Sequence, residues 1–275
     1  MRINFFCPLP PAPTEFAQHL LRILPDLAAA CDLTLWTSAP DWDKSLTRHA
    51  PVIAYNPATI ATDPRARSGH NVYNIGNGNG IDLDGDIWEA SRAISGILIL
   101  HDASLFEFVA GYFRRRHPSR DRLIEALRAQ DGEAAVLDYE AYERGAVTRD
   151  EMCLKYPLTK FICANATAVL LHSEAVRATL SLPAHIPVAV ANLPSAARAA
   201  GSPGRARLVD AHTASGYVAG LLALCAEVRE ETAPASRHLL DRVGREQVFL
   251  GPAARNPGFL VGLGDSIADI TPGQY

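Results

Sequence analysis

What this sequence is short of narrows the field first. No apolar run reaches the roughly 20 residues that a membrane-spanning helix requires. Positive charge is in no excess: 26 Lys and Arg stand against 30 Asp and Glu, and the isoelectric point is near 6.1. That argues against a nucleic-acid partner held by bulk charge. Only three of the basic residues are lysine (Lys44, Lys155 and Lys160), which together with abundant alanine reads as compositional bias. The cysteines, Cys7, Cys31, Cys153, Cys163 and Cys225, are odd in number, and none forms a C-x-x-C pair. Free thiols in a reducing cytoplasm are the expectation. Nine histidines are scattered with no H-E-x-x-H or similar spacing, so no metal site and no metal cofactor are expected. The stretch Met1–Pro8 is too short in its apolar part for a secretory signal and offers no small-residue cleavage site. The sequon Asn165-Ala166-Thr167 is read accordingly as chance.

What is present is a globular composition: 48% hydrophobic and 20% charged over 275 residues, with mean hydropathy of +0.01. A chain of this size buries a core without covalent staples. Short apolar runs recur at Arg2–Phe6, Leu33–Trp36, Val52–Tyr55, Asn71–Ile75, Ile97–Leu100, Val169–Leu171 and Val188–Val190. Helix-length spacers separate many of them. The pattern predicts an α/β fold: a Rossmann-like, mostly parallel sheet with helices on both faces, over residues 1–192. Thr14 is placed to cap the first helix, which Pro25 is expected to kink or split. Residues 104–166 read as a helical insertion with segments at Ser104–Arg116, Ser119–Gln130, Glu133–Arg144 and Pro157–Ala164. Residues 193–212 read as a linker by composition. Residues 213–275 read as a helical tail with segments at Thr213–Glu230, Pro234–Leu250 and Asn256–Ile270.

In an open parallel sheet, ligands bind at the carboxyl ends of the strands, so the residues just past each strand define the candidate site. The first strand leads into Cys7-Pro8-Leu9-Pro10-Pro11-Ala12-Pro13-Thr14, the fourth into Gly76-Asn77-Gly78-Asn79-Gly80, and the fifth into His101-Asp102. The sixth leads into His172-Ser173-Glu174. Each has a structural reading beside the functional one. The glycine run is either a flexible turn or a set of backbone N–H donors for a ligand. It fails the dinucleotide pattern G-x-G-x-x-G, since position 81 is Ile, and no helix is expected to start there. A nicotinamide-dependent dehydrogenase is disfavoured on that ground. Asp102 or Ser104 would cap the next helix, while His101 suits a polar contact or proton transfer. Ser173 would cap a helix whose N-terminus favours an anion. Arg114, Arg115 and Arg116 belong to a basic–aromatic cluster that faces either solvent or an anionic acceptor or membrane surface.

These residues, in this order, resemble the acceptor-side half of bacterial family 4 glycosyltransferases, which have the two-domain GT-B fold. The matching stretches are Arg2–Pro13, Val72–Asn77 (V-Y-N-I-G-N), Gly96–Leu105 (G-I-L-I-L-H-D-A-S-L), Tyr156–Leu158 and Val169–Glu174 (V-L-L-H-S-E). The resemblance implies transfer of a sugar, with retention, from a nucleotide-sugar donor to a glycan or lipid-linked acceptor, with no cofactor. It implies a cytoplasmic protein, peripheral at the inner membrane face if its acceptor is lipid-linked. His101 and Asp102 would be the catalytic pair. Pro11, Thr14, Gly76, Asn77, Gly78, His172, Ser173 and Glu174 would bind substrate.

Two features set this chain apart from the family. Its proline loop carries no glycine before the first helix, and no lysine follows Leu193. The family's donor half is a second α/β unit with a phosphate-binding Arg and Lys, then two glutamates with seven residues between. That spacing occurs at Glu125/Glu133 and Glu143/Glu151, both inside the helical insertion, and is read as coincidence. Ala206–Asp210 followed by Ala214–Val228 resembles the end of such an enzyme, so the middle of the donor half is expected to be missing. Two expectations result. One is a transferase impaired by the shortened donor half, or completed by a second chain or by self-association. The other is a non-catalytic relic that binds a glycan or a protein.

Overall fold

A computed structural model describes residues 1–77, 81–116, 118–180, 182–183, 185–194 and 213–228. Seven strands, β1 (Arg2–Phe6), β2 (Asp32–Thr37), β3 (Val52–Ala54), β4 (His70–Ile75), β5 (Gly96–Leu100), β6 (Ala166–Leu171) and β7 (Val188–Val190), form one sheet. Their order is β3-β2-β1-β4-β5-β6-β7, and every neighbouring pair is parallel. All seven apolar runs of the sequence are strands. The order reverses between β1 and β4, because the chain builds outward from β1 to β3 and then returns to β1's other side. That is the switch point of a doubly wound sheet, where a crevice opens at the carboxyl ends.

Side chains of the central strands alternate between two cores, as parallel strands covered on both faces require. Ile97 and Ile99 of β5 and Ala168 and Leu170 of β6 enter one core. Leu98, Leu100, Val169 and Leu171 enter the other. The second core is closed by α2 (Ile81–Ala93), α3 (Phe106–Arg115), α4 (Arg120–Asp131), α5 (Glu133–Glu143), α6 (Arg149–Lys155) and α7 (Thr159–Ile162). After β6 comes the short α8 (Glu174–Thr179).

The first core is closed by α1 (Glu15–Ala30) together with α9, residues 214–228. Along α1 the buried positions Phe16, Leu20, Ile23, Leu24 and Leu27 recur at helical spacing. Pro25 does not split it: the helix is continuous from Glu15 to Ala30. From α9, Tyr217, Val218, Leu221, Leu224 and Cys225 are buried in the same core as the α1 leucines. Gly220 lets α9 approach the sheet: a Cβ there would lie 3.2 Å from the Ala191 Cβ. The helix read from sequence as the start of a separate tail is thus part of the sheet's own core. The segments Pro234–Leu250 and Asn256–Ile270 lie outside the described residues, as does most of the 193–212 linker.

Two further differences concern local signals. A helix does start at Ile81, directly after the glycine run. Arg149–Lys155 forms a helix that hydrophobic periodicity did not reveal. It is seven residues long, and its only buried residue is Met152. Its signal was a capping box, with Thr148 bonded to the Glu151 amide and Glu151 returning to the Thr148 backbone. That cap accounts for Glu151, and Glu133 pairs with Arg128 on the surface (2.8 Å). Both E-x7-E spacings belong to exposed helix chemistry. Asn165 of the sequon donates to the Ser91 and Arg92 carbonyls.

Candidate functional site

A cavity of about 710 Å³ opens over the carboxyl ends of the central strands, lined by the first turns of α1, by Asn77, His101 and Asp102, and by Leu193 beyond β7. Its α1 contribution begins at Pro13 and Thr14 and continues through Phe16 and His19 to Arg22. The helix starts here because Thr14 is extended and its Oγ accepts from the Ala17 amide at 3.1 Å. A capped helix N-terminus aimed at a crevice places the positive end of the helix dipole in the cavity wall.

The loop after β4 is fastened to the loop after β5. The Asn77 amide donates to the Asp102 carboxylate at 2.6 Å. The Asn77 side chain donates to the Ser104 carbonyl at 2.5 Å and accepts from the Phe108 amide at 3.1 Å. Asn77 therefore caps α3 from across the sheet. Neither Asp102 nor Leu105 at the cap position supplies that bond, and Ser104 reaches the Phe106 amide only at 3.5 Å. Gly76 is the residue that lets these loops meet. A Cβ on it would stand 2.4 Å from the Phe16 ring and 2.7 Å from the Asp102 carboxylate. Burial is the first cause that pushes the Asp102 carboxyl above its usual range. The Asn77 amide opposes it, and Glu107 and Glu15 add to it.

His101 and His172 follow neighbouring strands and end up in contact, although 71 residues separate them. His101 Nδ1 and His172 Nε2 are 3.0 Å apart. The other nitrogen of His101 faces the Asn74 side-chain oxygen at 3.1 Å, and the other nitrogen of His172 faces the Ala191 carbonyl at 3.3 Å. Phe16 stacks on His101 with ring centroids 4.2 Å apart. His19 of α1 stands edge-on to both imidazoles, and Tyr217 of α9 lies beside His19 and His172. Burial, then His172 and His19, hold His101 well below the ordinary histidine range. His172 is lowered by burial and partly restored by the Ala191 carbonyl. Burial, with His172 and Arg22 next, lowers His19 to about 4.

Of the residues singled out in the sequence, Thr14, Asn77, His101 and Asp102 line the cavity. Gly76 sits beneath them and His172 stands behind His101. Pro11 is exposed at the cis Pro10–Pro11 bond, outside the lining. Gly78 lies outside the described residues. Ser173 caps α8, and Glu174 is exposed beside Arg177. Arg114 and Arg115 are exposed at the end of α3. Arg116 is instead half-buried, pairing with Asp86 and Glu89 of α2 and donating to the Asp82 carbonyl. It joins two helices and offers little to an outside surface.

Sequence reasoning missed His19, Tyr217, Asn74 and Asp84. His19 is on the α1 face with Phe16, Leu20 and Ile23, a spacing that reads as core. Asp84 is fully buried in the first turn of α2, with neither carboxylate oxygen bonded among the described residues. Burial, and secondarily Asp102, raise it to about 8. Among the described residues no group of three or more His, Cys, Asp or Glu is arranged to hold a metal ion, and no helix is long and apolar enough to cross a membrane. Comparison with protein-family models, with curated proteins and with solved structures returns no match to this chain.

Proposed function

We propose that the cavity is the sugar-binding cleft of a glycosyltransferase-like protein, which takes a nucleotide-sugar donor and passes its sugar, with retention, to a glycan or lipid-linked acceptor. One observation carries the reading: Asn77 of I-G-N and the pair His101-Asp102, far apart in the sequence, line one cavity with the α1 N-terminus at the switch point of a doubly wound sheet, and His172 of H-S backs His101 from behind. A nucleotide diphosphate is an anion, and as it departs it gains charge. The first turn of α1, with Arg22 two turns on, is suited to meet it. His101 and Asp102 belong to the cavity lining, and in this reading they face the sugar. In this reading the donor half of the site comes from a second chain or from another copy of this one. The protein works in the cytoplasm, with Arg114 and Arg115 available to an anionic membrane face.

One observation favours the second reading, a non-catalytic glycan- or protein-binding module. Both ring nitrogens of His101 are occupied by Asn74 and His172, which leaves no nitrogen free to exchange a proton with a substrate. A single experiment separates the two. Thermal shifts and product formation are measured with a panel of nucleotide sugars, with and without a chain that supplies a donor domain. The transferase reading expects both a shift and turnover with at least one donor. A shift without turnover leaves the binding module. No shift with any donor overturns both the nucleotide-sugar site and the activity.

A further inference from the structure

The contact between His101 and His172 contains a proton-counting problem. The chain of contacts runs from the Asn74 oxygen through His101 and His172 to the Ala191 carbonyl. A backbone carbonyl only accepts, so His172 Nδ1 must carry hydrogen. Asn74 cannot turn its amide toward His101, because its Nδ2 donates to the Phe6 carbonyl at 3.0 Å. Asn74 therefore presents oxygen, and His101 Nε2 must carry hydrogen too. The remaining contact, nitrogen to nitrogen at 3.0 Å, needs one hydrogen between its two atoms. The three contacts together require three N–H bonds. Two neutral imidazoles have only two. With both rings neutral, two lone pairs would face each other in a half-buried site, or His101 would turn a lone pair on the Asn74 oxygen.

We propose that His101 and His172 hold one extra proton between them, and that this resident positive charge in the cavity wall draws an anionic ligand of the phosphate class. The proposal rests on the cavity being a ligand site, as above, but it assigns that site its charge and its ligand chemistry. The pair titrates as a unit. Burial opposes charge on both rings, with His172 and His19 adding to it at His101, so the pair has no room for a second proton, and burial with His172 and Arg22 lowers neighbouring His19. The first proton is retained because every nitrogen then has a partner of the right kind. The groups facing the pair are Glu15, His19 and Arg22 from α1, Asp102 from the loop after β5, and Tyr217 from α9. Arg22 adds to the positive field, and Glu15 and Asp102 oppose it. Phe16 covers the His101 ring, so the charge acts on the cavity as a field.

The test begins with the unaltered full chain. Long-range ¹H–¹⁵N correlation on uniformly labelled protein near neutral pH counts the hydrogens on the four ring nitrogens. Three are expected, with shifts averaged between imidazole and imidazolium on the two rings. Two hydrogens, with one neutral ring each, overturn the proposal. Binding of pyrophosphate is then measured across pH. Affinity should fall about tenfold as the shared proton is lost, the size of one unit charge acting over several ångströms in partly screened surroundings. The variant His172→Gln supplies an amide N–H to His101 Nδ1, so both His101 contacts are satisfied without an extra proton, at the loss of the donor to the Ala191 carbonyl. It should melt close to wild type and bind pyrophosphate about tenfold more weakly, with little pH dependence. Unchanged affinity and pH profile in that variant would overturn the proposal. The proton count does not depend on sugar transfer. If no nucleotide sugar is turned over while three hydrogens are found, the transferase reading fails and this one stands.

Discussion

Replacing Asp84 by asparagine should stabilise the protein, and by more as the pH rises. The side chain is fully buried, and neither oxygen finds a donor among the described residues. Burial, with Asp102 second, holds its carboxyl protonated up to about pH 8, whereas in the unfolded chain it ionises near 3.8. Between these values the unfolded state releases a proton that the folded state keeps. Folding stability therefore falls as pH rises through that window. Below it both states are protonated, and the group contributes nothing. At about pH 7 the accumulated loss is about 4 kcal/mol, a large share of the 5–15 kcal/mol typical of a folded domain. The asparagine would be neutral in both states and would leave polar atoms no worse satisfied than the protonated acid. Urea unfolding followed by tryptophan fluorescence, with Trp36 and Trp88 buried in the core as reporters, gives the comparison. Asp84→Asn should match wild type near pH 4 and exceed it by about 2–4 kcal/mol near neutrality, after an allowance for local relaxation. A difference that stays constant with pH, or a wild type that gains on the variant as pH rises, would refute the reasoning.

Two further outcomes test the site's construction. Gly76→Ala forces a methyl against the Phe16 ring and the Asp102 carboxylate. It should cost about 2 kcal/mol, and Phe16→Leu in the same chain should return part of the loss; thermal melts of the three variants suffice. His19 is neutral when folded and protonates only near 4, against 6.5 ordinarily, so on acidification the unfolded state takes up the proton first. Stability should fall as pH drops from about 6.5 to about 4, by up to about 3 kcal/mol. His19→Leu should flatten that slope in the same unfolding assay.

The sheet was legible because parallel strands covered on both faces must be apolar along their length. Gly96–Leu100 and residues 168–171 of β6 show this in an unbroken run. Strand order was not legible. Its reversal is made by the connection from β3 back to β4 on the far side of β1, which no local pattern records. At the site, the rule that ligands gather at strand ends pointed to His101, Asp102 and His172. It could not show that they bond to one another or to Asn77, because those pairings span 25 to 71 residues. His19 and Asp84 escaped for the opposite reason. A polar residue on an apolar helical face has the same spacing as a core residue, and its cost appears only when the neighbours are known. The α2 start after Gly80 was missed because the residue before Ile81 is a glycine, which carries no side chain to signal a helix cap in the sequence.

Because α9 is buried against α1 and the end of β7, the folded unit draws on two stretches of chain that are not continuous in sequence. The strands supply one side of the first core, and α1 together with residues 214–228 closes it. Loop-closure cost grows only logarithmically, by about 0.6 kcal/mol for each doubling of length. The framework is therefore nearly indifferent to how much chain passes between β7 and α9. A short link and an inserted domain would leave the same two anchors in place, which makes this junction a socket into which a complete protein module could be spliced.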